Sequence, residues 1–410
     1  MPFPIFVLTV VFLLIAVRRF GQLSVPIWMA MGIGAAAVLL SGHMTPAAAA
    51  AAIDWDVMGF LLGVFIIGDA LERSGLLFAT TYRLLADVRS ADGLVLRLLL
   101  VAGLGSALLM NDTLAIVGTP LVLLLAREHG LPPRLLLLTL AFAITIGSVT
   151  SPIGNPQNLL IALHGGMAAP FLSFLRHLLL PTLLNLVLTF VILRVLLRKD
   201  FHATPLRHTR VEVSDAALAR LARWSLGLFA ALIGLRIALV LADAPVALRL
   251  SHIALLAASP IVLLGPRRAS VRHLDWRTLV FFAAMFVLMR SVWETGFFQG
   301  FVAPDTNLAA MPAVLAVSVL LSQLISNVPL VALYLPVLEL AGGGDPAMLA
   351  LAVGSTIAGN LLILGAASNV IILQNAERRA GVTVGFFEFA RVGAVVTAVN
   401  LAVYWLFLPV

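Results

Sequence analysis

Met110-Asn111-Asp112-Thr113 is a polar knot carrying a carboxylate, set between two apolar runs, Leu94–Leu109 and Leu114–Leu125. Neither run reaches the roughly 20 apolar residues that a helix needs to cross a bilayer. Two short apolar legs joined by a polar tip read as a re-entrant hairpin. Backbone of that kind is tolerated at membrane depth only where protein or a watery cavity surrounds it. A second knot of the same build, Ser326-Asn327-Val328-Pro329, lies in the other half of the chain.

Everything around the knots is membrane sequence. Of 410 residues, 61% are hydrophobic and 11% charged, against roughly 25% charged in a soluble chain. Apolar runs recur to the last residue, so the whole chain reads as one polytopic domain. In a soluble protein the net charge of +7 would suggest nucleic acid. Here the arginines cluster in short loops, orientation in the membrane accounts for them, and no nucleic-acid partner is expected. The chain has no cysteine, which removes disulfides, thiolate metal sites and cysteine nucleophiles together. Met1-Pro2-Phe3-Pro4 carries no positive region, and Arg18 and Arg19 follow the first apolar run. A cleaved signal peptide has the opposite polarity, so a retained first helix is expected.

The expected spans of the first half are 3–17, 24–41 and 57–72, a hairpin at 93–127, an interrupted span at 132–164 and a span at 170–197. The second half repeats the series at 222–242, 247–265 and 277–293, a hairpin at 306–341, an interrupted span at 346–376 and a last span at 386–408. With residues 1–2 outside, the inside loops hold Arg18 and Arg19, then Arg83, Arg89 and Arg97, then Arg127 and Arg134. They continue with Arg198, Lys199, Arg207 and Arg210, then Arg267, Arg268 and Arg272, and finally Arg378 and Arg379. The outside loops are nearly free of Lys and Arg, as the positive-inside rule requires, provided that both hairpins return to the side they entered from.

Ten spans and two hairpins follow, with both termini outside. The first hairpin enters from inside and the second from outside, so the halves are inverted. The fold expected is therefore all-α and polytopic: two inverted repeats of five transmembrane helices, each with a re-entrant hairpin and a broken helix. Their bounds are 1–197 and 222–410, joined by a cytoplasmic linker at 198–221. Within the linker, Ala216–Arg223 is a candidate interfacial helix, though a plain connector is the better reading of its charge.

Sequence echoes support the repeat. Ile53-Asp54-Trp55 is matched by Leu274-Asp275-Trp276, Gly75 by Gly296, Asn111 and Pro120 by Asn327 and Pro336, and Gly154…Asn158 by Gly365…Asn369. Inverted repeats with broken helices are the build of secondary transporters.

Each half holds two polar interruptions. In the first half these are the knot and Gly147-Ser148-Val149-Thr150-Ser151-Pro152-Ile153-Gly154-Asn155-Pro156-Gln157-Asn158, whose prolines and glycines must break the helical ladder. In the second they are 326–329 and the series Gly354-Ser355-Thr356, Gly359-Asn360 and Gly365-Ala366-Ala367-Ser368-Asn369. Such residues also cap broken helices and glue spans together. Four at matched positions favour a central site, with Ser151 and Asn360 among its candidates.

Asp112 is the sharpest single residue, because a carboxylate at membrane depth is paired, protonated or functional. Its plain alternative is an N-cap for a helix starting at Thr113. Its counterpart, Val328, cannot titrate. Arg290 with Glu294, and Asp69 and Glu72 with Arg73, read as structural ion pairs near the interface. Glu339 lies near the mouth of the second hairpin. No histidine spacing suits a metal, and no nucleophile elbow or metalloprotease motif is present, so neither an enzyme nor a metal site is expected.

Asn111-Asp112-Thr113-Leu114-Ala115 with Thr119-Pro120 resembles the Asn-Asp motif of the arsenite pump branch of the ion transporter superfamily. Ser151–Asn158 and Ser322-Gln323-Leu324-Ile325-Ser326-Asn327-Val328-Pro329 resemble a bacterial group of anion permeases in the same superfamily, which also holds citrate, divalent-anion/sodium and sodium/proton carriers. The resemblance spans essentially the whole chain. It implies a substrate and coupling-ion site between hairpin tips and broken helices, carried onto Asn111, Asp112, Thr113, Asn155 and Asn158, and onto Ser326, Asn327, Ser368 and Asn369. It also implies a possible homodimer.

The dicarboxylate branch has Ser-Asn-Thr at both tips, whereas this chain has Asn-Asp-Thr and Ser-Asn-Val. An acidic tip repels a dianion unless it is protonated or screened. The function expected is a secondary transporter of a small oxyacid in a bacterial inner membrane, best read as proton-coupled efflux of arsenite or antimonite with Asp112 as the coupling carboxylate. A sodium- or proton-coupled anion permease and a sodium/proton antiporter are the alternatives, and a channel is the reading from outside the class. No cofactor is expected beyond a coupling ion, H+ or Na+.

Overall fold

A computed structural model describes residues 2–17, 19–20, 23–24, 26–85, 88–201, 214–242, 248–265, 274–301 and 309–409. Arg18, Arg207, Arg210, Arg267, Arg268 and Arg272, on which part of the expected orientation rests, lie outside the described residues, as do the hairpin residues 306–308.

The described chain is helical, apart from one two-residue antiparallel ladder, Arg19–Phe20 with Leu23–Ser24. The first half holds α1 (Phe3–Val17), α2 (Ile27–Leu40), α3 (Pro46–Ala52), α4 (Trp55–Arg73) and α5 (Leu76–Leu85). It continues with α6 (Ala91–Leu108), α7 (Asn111–His129), α8 (Pro133–Ser148), α9 (Pro156–His164) and α10 (Pro170–Leu196). In the second half come α11 (Ala216–Leu241), α12 (Leu250–Leu264), α13 (Trp276–Trp293), α14 (Met311–Ile325) and α15 (Asn327–Leu340). The last three are α16 (Asp345–Ile357), α17 (Ala367–Ala380) and α18 (Phe386–Phe407).

Local chemistry sets these bounds. Asp54 caps α4 by accepting from the amides of Asp56 and Val57, and Asp275 caps α13 by accepting from Thr278. Gly75 and Gly296, just past the same two helices, both have φ of +71°, a conformation that costs an L side chain steric strain. Proline stands in the first turn of α3, α8, α9, α10, α14 and α16, where its missing amide leaves nothing unpaired.

Two expectations change. The arms of the first hairpin are longer than its apolar runs, 18 residues in α6 and 19 in α7. The Ser90 hydroxyl caps α6 ahead of the apolar run, and α7 continues through Arg127 and His129 to Gly130. Arm length therefore does not decide whether the hairpin returns. Ala216–Arg223, in turn, is no separate interfacial helix. It is the beginning of α11, which continues unbroken for 26 residues because no Pro or Gly pair interrupts it.

Among the described residues, α6, α10, α11, α13 and α18 are each long and apolar enough to cross a membrane, and α3 with α4, bent by 59°, adds a sixth candidate. Large apolar side chains such as Leu180, Val195, Leu264 and Leu406 stand on the outside of the bundle, where hydrocarbon is the solvent that suits them. Between helices, small residues allow close approach. A Cβ on Gly147 would lie 2.0 Å from the Gly103 carbonyl oxygen, so α6 and α8 meet backbone to backbone, and a Cβ on Gly63 would lie 2.5 Å from the Ala254 backbone on α12. Packing of this kind drives helix association in lipid, where no hydrophobic effect operates between helices.

The helices form two groups. In one, α1, α2, α4, α11, α12 and α13 pack on one another; in the other, α6 to α10 pack with α14 to α18. The groups meet where α1 touches α14, α13 touches α15 and α4 touches α9, with α5 between them. Packing partners recur between equivalent helices: α4 on α12 and α13 on α2, and α7 on α17 and α15 on α9, in exchange across the halves, and α6 on α8 and α14 on α16 within them.

Candidate functional site

The two hairpin tips differ in build. The first turns through Leu109 and Met110 with negative φ at both residues, and the second through Ser326 alone, at φ 68° and ψ 160°. That conformation is normally left to glycine, and Ser326 is the one non-glycine with positive φ among the described residues. Asn111 and Asn327 occupy the same place, the first residue of the second arm.

Helix α7 thus begins at Asn111 and not at Thr113. Asp112 is inside the first turn and is no N-cap; Met110 holds the cap position without a side-chain bond. Asp112 is half-buried and makes no side-chain hydrogen bond or ion pair among the described residues. Thr113 packs on α4, where a Cβ on Gly68 would lie 3.3 Å from its hydroxyl oxygen.

The breaks are shorter than expected. Gly147 and Ser148 end α8, so the first break covers 149–155; Gly354, Ser355 and Thr356 lie inside α16, and the second break begins only at Ala358. A glycine is tolerated within a helix, and Ser355 bonds back to the Leu351 carbonyl at 2.7 Å, so neither residue needs to unwind the helix.

The first break closes on itself and on α16. Asn155 caps α9, its side-chain oxygen accepting from the Asn158 backbone amide at 2.9 Å. Its nitrogen donates to the hydroxyls of Ser148 at 3.0 Å and Thr356 at 3.2 Å. The Asn158 nitrogen donates to the carbonyls of Ser148 and Ser151, at 3.1 and 3.2 Å. Its oxygen accepts from Thr356 at 3.3 Å. Gln157 reaches the same Thr356 oxygen at 3.3 Å. The Ser151 hydroxyl turns onto its own loop, accepting from the Ile153 amide. A backbone bond of 2.9 Å from the Asn111 amide to the Gly154 carbonyl joins the first tip to this break.

The second break is less satisfied. The Asn369 nitrogen donates to the Gly359 carbonyl at 2.7 Å and the Gln323 nitrogen to the Ala358 carbonyl at 2.9 Å, covering backbone groups that the break frees. Asn327 lies against the same glycine, its nitrogen 3.8 Å from where a Gly359 Cβ would stand. Asn327, Asn360, Ser368 and Asn369 are all buried, and each keeps at least one buried polar atom without a hydrogen-bond partner among the described residues, as Asn111 does. Of the eleven residues expected at the site, the two breaks bring together Asn111, Asn155, Asn158 and Ser151, and Asn327, Asn360, Ser368 and Asn369. Gln157, Thr356, Gln323 and Thr145 were not among them. Gln157, Thr356 and Gln323 stand inside the polar runs but off the matched positions, and Thr145 gave no signal, being one threonine in an apolar helix.

Four helix N-termini, of α7, α9, α15 and α17, lie at the tips and breaks, each half-helix packing on the other half's partner (α7 on α17, α15 on α9). Their aligned amides give the region a positive potential without a cationic side chain. A cavity of about 380 Å³, lined by no residue of the tips or breaks, runs along α15 from Ala332 to Glu339 and is bordered by Asp54, His164 and Arg290. At its edge His164 Nε2 meets Asp54 Oδ2 at 2.5 Å, tying α9 to the start of α4. Arg290 pairs with Glu294 at 2.8 Å and Arg73 with Asp69 at 3.4 Å, each within one helix turn as expected.

Three comparisons bear on this arrangement. The sequence profile of the citrate transporter family matches residues 10–344. The chain is 32% identical over 375 residues to an uncharacterized transporter of Mycobacterium bovis, covering 87% of this chain and 86% of that one. To a silicon efflux transporter of Oryza sativa subsp. japonica it is 30% identical over 399 residues, covering 80% of each. Among solved structures, the Alcanivorax borkumensis YdaH transporter shares the fold, with a TM-score of 0.58 at 19% identity over 99% of this chain and 98% of that one. The profile and the full-length relatives agree with the resemblance carried by the two knots: this protein is a multi-pass membrane transporter of the citrate transporter family, within the ion transporter superfamily.

Proposed function

We propose that the protein exports a small neutral oxyacid, arsenite or antimonite as the trihydroxide, against an inward flow of protons, with Asp112 as the coupling carboxylate. The observation that carries this reading is the makeup of the tips and breaks: amides, hydroxyls and backbone, with Asp112 the only ionisable side chain and no Lys or Arg among them. A solute held there is met by neutral hydrogen-bonding groups, and a dicarboxylate would find no cation to pair with. Asp112 has no side-chain partner of its own among the described residues, and a carboxyl at membrane depth without a partner is placed to carry a proton. The rice relative is named for efflux of silicon, which also travels as a neutral hydroxy acid.

The chain works as two inverted repeats, 1–197 and 222–410, in a bacterial inner membrane with both termini outside. The exchanged packing of equivalent helices supports the repeat. Alternating exposure then comes from one bundle rocking against the other around the site. A homodimer is compatible with this scheme.

An anion permease coupled to H+ or Na+ is the second reading. It is favoured by the four converging helix N-termini, which suit an anionic group, and by the family name.

Reconstituted vesicles separate the two. Labelled arsenite or antimonite accumulates under an imposed pH gradient on the first reading, and citrate or another carboxylate accumulates under a pH or sodium gradient on the second. Flux of neither, or flux without counterflow exchange, overturns carrier-mediated oxyacid transport.

A further inference from the structure

The two breaks differ in what they leave unpaired. In the first, Asn155 and Asn158 spend both their oxygens and both their nitrogens on each other, on Ser148 and on Thr356. Around Gly359 in the second, the side-chain oxygens of Gln323 and Asn369 and both amide atoms of Asn360 are buried without a hydrogen-bond partner among the described residues. Gln323 donates its nitrogen to two carbonyls, of Val319 at 3.1 Å and Ala358 at 2.9 Å, which fixes the amide's orientation. Its Oε1 is then an acceptor, and it is buried with no partner. The same reasoning fixes Asn369, whose nitrogen donates to Gly359 and whose Oδ1 is likewise buried and unpaired. Thr145, reaching in from α8, has its methyl 3.4 Å from where a Gly359 Cβ would stand, and its hydroxyl too is buried without a partner. Gly365 keeps the space beside Gln323 open: a Cβ there would lie 3.0 Å from Oε1 and 2.9 Å from the Ala358 carbonyl oxygen.

Buried acceptors without protein donors are costly, and a native site keeps them where water or a ligand supplies the donors. The geometry points to Gln323 as a specificity-determining residue whose Oε1, beside Asn369 Oδ1, accepts O–H donors from a hydroxyl-bearing solute at the second break. This deepens the reading given above and rests on it. Gln323 belongs to no matched pair of the two halves; its counterpart by the tip offset is Ala107, so the acceptor is supplied by one half alone.

The test uses two solutes that differ by one hydroxyl, arsenous acid and methylarsonous acid, in vesicles holding the wild type, Gln323→Met or Gln323→Glu. Within each protein the ratio of the two initial rates is read, so the fraction folded cancels. The wild type is expected to favour the trihydroxide. Gln323→Met, which lacks the acceptor, narrows that preference roughly tenfold, while Gln323→Glu, which keeps an acceptor, retains it. Equal loss for both solutes in Gln323→Met means a structural role and overturns the inference alone. An unchanged ratio does the same. A wild type that carries neither arsenical but carries a carboxylate overturns this inference together with the reading beneath it.

Discussion

Asn155 Nδ2 donates to Thr356 Oγ1 across 3.2 Å, and that contact joins the broken helix of one half to its counterpart in the other. Two residues 201 apart in sequence thus share one hydrogen bond at the centre of the bundle. The Thr356 hydroxyl also accepts from Gln157 and donates to Asn158, so its single donor and two lone pairs are all in use.

Thr356→Val is accordingly expected to leave the Gln157 nitrogen and the Asn158 oxygen unpaired in a buried place, while Asn155 keeps Ser148, destabilising the protein by about 2–4 kcal/mol. Thr356→Ser should cost under about 1 kcal/mol by keeping the hydroxyl. Thermal unfolding in detergent checks both, and equal effects would show that the hydroxyl is idle.

At Asp112 the prediction concerns coupling. Asp112→Asn keeps the shape of the first turn and removes the proton. Accumulation driven by a pH gradient should fall by about 100-fold or more, while exchange of labelled for unlabelled solute continues. Gradient-driven flux at the wild-type rate in this variant would remove Asp112 from the coupling step.

Ser326 holds the second tip in a conformation that suits glycine. Replacing it by glycine should relieve about 1–2 kcal/mol of strain and raise the melting temperature. A fall instead would mean that the Ser326 side chain stabilises the tip by more than its backbone costs.

The His164–Asp54 pair ties the two helix groups together at the edge of the cavity along α15. Because His164 is nearly half exposed, with 46% of its side chain accessible, the bond contributes only about 0.5–1 kcal/mol. The absence of native cysteine makes it measurable. Cysteine introduced as Ala332→Cys, in the lining of the cavity, should react with a water-soluble maleimide about two- to fivefold faster in His164→Gln. An unchanged rate would show that the pair does not hold the cavity closed.

Much of this was legible in residue order because the signals are local. Helix breakers, apolar run lengths and tip residues act within a few positions of themselves, so Asn111 and Asn327 at matched tips, and Asn155 and Asn369 beside their breaks, could be marked in advance. Break boundaries were less readable. Gly147 and Gly354 look like breakers, yet both lie in helices because their missing side chains serve close approach to Gly103 on α6 and to Ser318 on α14.

By itself the order of residues determined the all-helical membrane character, the places where helices must stop, and the polar, cation-free chemistry available at mid-chain. Tertiary structure alone decided which of those polar atoms are satisfied: Thr356 is saturated by residues about 200 positions away, while Gln323 and Asn369 spend their nitrogens on freed carbonyls and are left with bare oxygens. The reason is that a helix break exposes backbone groups locally, but whether a side chain covers them or is itself left open depends on what the rest of the chain brings within 3 Å or so.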